Sequence, residues 1–137
     1  MSSAIYVINP NSSLRVTQGI DVALSPLRMA GGPRLVSDWL RSGPPGVQSQ
    51  QDVDGVAMPL VQHCLALPDD CAAVVIACFS DPGLYTLREV VDVPVLGIAE
   101  TGVLTALSLG QRFGVIAILP GSIPRHLRAY GAMGVQA

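Results

Sequence analysis

The chain has 137 residues, 50% of them hydrophobic and only 13% charged, with a net charge of −2. That length fits one domain of common size with a real core, and nothing in it calls for two complete domains. The near-neutral balance, with no basic patch interleaved with aromatics, excludes nucleic acid as an expected partner. Ordinary soluble chains carry roughly 25% charged residues. Much of this exterior is therefore expected to be covered in the working state, by copies of the chain in a homo-oligomer or by a missing half.

The first element in chain order is a short apolar strand, Ala4 to Ile8, which runs into the turn and capping cluster Asn9-Pro-Asn-Ser-Ser13. A helix is predicted from about Ser13 to Met29, because Val16, Ile20, Ala23, Leu24 and Leu27 recur at helical spacing. Gly31-Gly-Pro33 breaks it, and a second strand is predicted over Arg34 to Leu40. Ser42 to Gly46 reads as an exposed, mobile loop, a plausible rim for a site. From Gln51 to Leu67 the residues Val53, Val56, Ala57, Leu60, Val61, Cys64 and Leu65 mark a buried helical face. Pro59 lies inside that helix and should either kink it or delay its regular part.

Ala72 to Ala77 is an apolar run without alternation, as expected for a strand buried on both faces of a parallel sheet. Then come a helix over Leu84 to Val91, a short strand over Val93 to Gly97, and a helix from Ile98 to near Gly110. A fifth strand over Phe113 to Leu119 and a helix over Ser122 to Tyr130, with Arg125 and Arg128 on its surface, complete the pattern. The alternation of strand and helix predicts an α/β fold, a parallel sheet with helices on both faces. There is no Gly-x-Gly-x-x-Gly and no Walker pattern, so the first strand-to-helix loop is not a nucleotide site.

The longest uncharged apolar stretches, Cys71 to Ser80 and Phe113 to Pro124, fall short of the roughly 20 residues that span a bilayer. No membrane partner is expected. With no basic residue ahead of the first strand, the N-terminus does not resemble a secretory signal, and a cytoplasmic location is the expectation. Cys71 and Cys78, on one extended strand, would lie roughly 23 Å apart, beyond disulfide reach. All three cysteines are expected to be free, and their spacing offers no metal site.

Cys78 ends the central strand, just ahead of the polar turn Ser80-Asp-Pro-Gly83. In open α/β sheets ligands bind at the carboxyl ends of the strands, and a nearby helix start favours a thiolate. Free cysteine is also a common core residue, and that reading suits Cys64, on the apolar helical stripe. Ser80 and Asp81 read first as caps of the following helix, with Pro82 at its first position. Asn9, Asn11, Ser12 and Ser13 read as turn and cap residues that could also grip a carboxylate or imide oxygen. If the first and third strands are neighbours, that loop lies beside Cys78. Glu100 opens a helix and could face the same crevice. His63 and His126 read as solvated surface residues.

Three motifs together carry a resemblance: Ile8-Asn-Pro-Asn-Ser-Ser13, Ala77-Cys-Phe-Ser-Asp-Pro-Gly-Leu84 and Val93-Pro-Val-Leu-Gly-Ile-Ala-Glu100. In order along the whole chain, they are similar to the hydantoin and allantoin racemase group of the aspartate/glutamate racemase superfamily. The resemblance implies a cofactor-independent racemase of two similar α/β lobes acting on a small-molecule substrate in the cleft between them. Each lobe would supply one cysteine, one thiolate removing the proton beside the substrate carbonyl while the opposite thiol protonates the other face. By the same resemblance Cys78 is the catalytic thiol of the first lobe. Asn11 and Ser12 would hold substrate oxygen, with Ser80 and Asp81 forming the turn beside the thiol.

The resemblance further implies that residues 1–111 are the first lobe and 112–137 the opening strand and helix of an incomplete second. The partner cysteine would lie outside this chain, which alone is expected to have little or no racemase activity. Alternatives left open are an aspartate/glutamate-type racemase, a related decarboxylase or maleate-type isomerase lobe, and a non-catalytic α/β module that binds small anions.

Overall fold

The computed structural model of the chain describes residues 3–136. Four parallel strands form one sheet in the order β2-β1-β3-β4: β1 (Ala4–Asn9), β2 (Arg34–Trp39), β3 (Cys71–Ile76) and β4 (Val95–Gly97). The helices are α1 (Leu14–Leu24), α2 (Gln50–Leu65), α3 (Leu84–Val90), α4 (Ile98–Leu109) and α5 (Ile123–Ala132).

Alternation along the strands sorts side chains to two faces. Tyr6, Ile8, Val74 and Ile76 point to one face and pack with Leu60, Val61 and Cys64 of α2 and with Leu84 and Leu87 of α3. Cys64 is core, as expected, and its desolvated thiol is pushed up to about 12. On the other face Ile5, Val7, Leu35 and Val75 meet α1 and the start of α4 around an open apolar trough of about 490 Å³. Helices thus flank both faces, but one face is only partly covered.

Most boundaries follow the periodicity. The first helix is shorter than predicted, because Ser25-Pro-Leu27 tightens into a 3-10 turn. Pro59 is accommodated without ending α2, which begins in a capping box between Ser49 and Asp52. The missing Pro59 N–H would have bonded the carbonyl of Gly55, one turn back. The apolar face of α2 outweighs that loss.

Two expectations need correction. The predicted fifth strand over 113–119 is not formed: the segment runs unpaired, with Ile116 95% and Ile118 92% exposed. A strand needs another backbone to take its N–H and C=O groups, and none of the four described strands lies beside it. The helix after it is present as α5. The loop at 42–46 is exposed at Ser42 and Pro45 and borders the asparagine loop, where the Ser12 N–H donates to the Pro44 carbonyl at 2.9 Å. His63 is not solvated but half-buried, bonded through Nε2 to Asp38 at 2.9 Å.

Candidate active site

The sheet order reverses direction between β1 and β3, so the loops leaving these two strands diverge and open a crevice at their carboxyl ends. The strands pair in register from Ile8 with Ile76, and the Ala77 N–H extends the ladder to the Ile8 carbonyl at 2.8 Å. The loop Asn9–Ser13 therefore leaves the sheet beside Cys78, as the sequence led one to expect if these strands were neighbours.

The asparagine loop is built mostly for itself. Asn9 is 1% exposed, and its Nδ2 donates to Asn11 Oδ1 at 2.8 Å and Thr17 Oγ1 at 3.1 Å. Asn11 Oδ1 also accepts the Ser13 N–H at 2.9 Å, and Ser13 Oγ caps α1 by accepting from Val16 N at 3.3 Å. These bonds fix the loop and use its acceptor oxygens. Asn11 Nδ2 and Ser12 Oγ have no hydrogen-bond partner among the described residues, so donors are what the half-buried loop has to offer.

Cys78 is half-buried and free. Burial pushes its thiol up, and the nearby Asp81 carboxylate adds to the rise. The Ser80 backbone amide and the charge of Arg125 pull the other way. Proximity to a helix start does not make this a low thiol, because burial outweighs the groups that lower it, and the capping geometry itself differs from expectation. Asp81 does not cap α3. It adopts φ +43°, a left-handed conformation that aspartate tolerates better than most residues. Its carboxylate accepts the Ala99 N–H at 3.0 Å and the Glu100 N–H at 2.7 Å, capping α4 instead. Burial nevertheless leaves the Asp81 carboxyl raised. A Cβ at Gly97 would collide with that carboxylate, so glycine is what lets the cap approach. The start of α3 falls to Gly83, at φ +70° and without a side-chain cap.

Ser80 does not cap either: its Oγ accepts Nε of Arg125 at 3.2 Å. Glu100 is held by Arg88 at 2.7 and 3.1 Å, and this partner keeps its carboxyl below the ordinary value. Sequence reasoning missed Arg125 and His126, both read as surface residues. In the structure α5 folds onto the Cys78 turn and closes a cavity of about 130 Å³ with Ser80, Asp81 and Glu100. His126 stands edge-on to Phe79 and stacks on Tyr130, with burial lowering its pKa. Its Nδ1 and the hydroxyl of Tyr130, a residue only 7% exposed, are buried without a partner among the described residues. Apolar spacing did not mark this face: Ile123 and Leu127 stay exposed, and α5 turns Arg125, His126 and Ala129 to the cavity.

Among the described residues no cluster of three or more His, Cys, Asp or Glu could hold a metal ion. Among the described residues no helix is long and apolar enough to cross a membrane.

The fold is an open parallel α/β lobe in which the thiol-bearing turn and the donor-bearing loop leave adjacent strands at the strand-order reversal. Residues 5–137 match the model of the family described as Asp/Glu/Hydantoin racemase. The chain belongs to that family. It is 38% identical over 118 residues to a hydantoin racemase of Pseudomonas sp. (strain NS671), covering 85% of this chain and 47% of the relative. With a hydantoin racemase of Rhizobium meliloti it shares 36% over 126 residues, 88% of this chain and 50% of that one. An allantoin racemase from Klebsiella pneumoniae superposes with a TM-score of 0.88 at 31% identity, over 97% of this chain and 54% of that one. The chain thus spans about half the length of the curated relatives it matches.

Proposed function

We propose that the chain is one lobe of a cofactor-independent racemase of 5-substituted hydantoins or allantoin, with Cys78 as its proton-transfer thiol. On this reading residues 1–111 are the first lobe and 112–137 open the second. The observation that carries it is the placement of the Cys78 turn beside the Asn11–Ser12 loop at the reversal between β1 and β3. Similarity to hydantoin and allantoin racemases names the substrate class.

In the proposed step the Cys78 thiolate takes the proton from the carbon beside the carbonyl. The C–H electron pair moves into the carbonyl, and donors from Asn11 and Ser12 meet the developing enolate oxygen. Inversion then needs a proton delivered from the opposite face. Cys64 is buried in the core and Cys71 begins β3, at the far end of the sheet, so neither reaches that position. The second acid belongs to another lobe, and this chain alone exchanges without inverting. Its three free thiols suit the reducing cytoplasm.

The test is incubation of each enantiopure 5-substituted hydantoin in D₂O. Deuterium at the C5 stereocentre is followed by NMR, and inversion by optical rotation. The expected result is exchange of one enantiomer above the buffer rate, lost in Cys78→Ser, with rotation decaying no faster than in buffer. Because burial raises the thiol, exchange should rise about tenfold per pH unit below its pKa. Equal exchange by Cys78→Ser would overturn the role of Cys78, and enzyme-like loss of rotation would overturn the single-face reading. The raised thiol also favours a second reading, a non-catalytic module that binds small anions. Binding of hydantoin without any Cys78-dependent exchange would select it.

A further inference from the structure

The thiol of Cys78 is half-buried, and the charges around it can be named element by element. Asp81 lies on its own turn, with its carboxylate aimed at the start of α4. From α4 comes Glu100, whose charge is matched by Arg88 of α3 through two hydrogen bonds. The loop after β1 contributes only neutral side chains, Asn9 to Ser13. From α5 come His126, which burial holds toward its neutral form, and Arg125. Asp52, at the start of α2, also feels the charge of Arg125.

Arg125 differs from the other cations near the crevice. Its Nε donates to Ser80 Oγ at 3.2 Å, and no described carboxylate pairs with it as Glu100 pairs with Arg88. Ser80 stands two residues beyond Cys78, on the turn closed by the Asp81 N–H to the Cys78 carbonyl at 3.0 Å, and its backbone amide counts among the groups that lower the thiol. One side chain from α5 thus ties down the turn that follows Cys78, and its positive charge lines a cavity together with Phe79, Ser80 and Asp81.

We propose that Arg125 is a positioning residue for Cys78: it clamps the Ser80 turn on the thiol and supplies the positive charge that stabilises the thiolate. The clamp comes from α5, so the thiol of the α/β lobe is tuned by a helix that lies after it in the chain. The inference rests on Cys78 being the working thiol, but its consequence is a property of the sulfur and is read without any turnover.

The experiment measures alkylation of Cys78 by iodoacetamide across pH in the full chain, quantified by peptide mass. Wild type, Arg125→Met and Arg125→Lys are compared, with thermal melts alongside. An opposite charge close to an ionisable group favours its charged form. Arg125 is the smallest of the named influences on the thiol, so the Arg125→Met midpoint should rise by about 0.3 pH unit or more, slowing alkylation at least about twofold at any pH below it. Arg125→Lys, which keeps the charge but not the planar fork, should recover part of the shift.

Cys64 and Cys71 serve as controls in the same digest. Faster labelling of the buried Cys64 would reveal unfolding, in which case Arg125→Lys alone decides, by a midpoint above wild type. Coinciding midpoints for wild type and Arg125→Met, or an Arg125→Lys midpoint no lower than that of Arg125→Met in folded chains, would overturn the proposal. A shift in the alkylation midpoint without Cys78-dependent deuterium exchange would leave the role of Arg125 standing and remove only the racemase reading.

Discussion

Two cysteines of this chain show how environment sets what a thiol does. Cys64 is enclosed by the α2, β1 and β3 core and rises from an ordinary 9.0 to about 12, while Cys78 is raised by burial but opposed by an amide and an arginine. The folded chain keeps the Cys64 proton that the unfolded chain releases near pH 9, so the stability from burying the neutral thiol is complete below that value. It drains away as pH rises toward about 12. Urea melts from pH 8 to 11 should show a steep alkaline loss in the wild type and a shallower one in Cys64→Ala. Tyr6 and Tyr130, also raised by burial, remain in both and cancel in the comparison. Parallel slopes would show that Cys64 is not desolvated as described.

Among the elements, the turn after β3 joins three helices without capping its own. Asp81 reaches past α3 to the amides that open α4, and Gly97 leaves room for it. Removing the cap with Asp81→Ala should cost about 1 kcal/mol, and Gly97→Ala, which forces the carboxylate aside, about 1–3 kcal/mol. Because both break the same contact, the double variant should cost clearly less than the sum in urea unfolding. Simple additivity would mean that Gly97 matters for some other reason.

Across the whole molecule, the half-covered sheet face is the counterpart of the low charge content. Ile5, Val7, Leu24, Leu27 and Val75 border a trough of about 490 Å³ open to solvent. The composition led one to expect cover by copies of the chain or by a missing half, and of these we propose that copies of the chain associate over it. Light scattering after gel filtration should find wild type larger than a monomer and Leu27→Glu monomeric with an unchanged circular dichroism spectrum. A monomeric wild type would refute association through this face.

Local patterns were enough for the strands β1 to β4, the helices between them and the core position of Cys64, because periodicity records which side of an element meets the interior. The neighbouring placement of the Asn9–Ser13 and Cys78 loops could be anticipated from the usual order of such sheets. Pairing partners could not be read this way. The apolar segment 113–119 has the composition of a strand but no described strand beside it, and Asp81 has the spacing of a cap for α3 but bonds α4. The same holds for Arg125, which looks like solvent-facing charge until α5 is laid against Ser80. A one-dimensional pattern states what a residue prefers; which distant group it meets depends on how the elements pack.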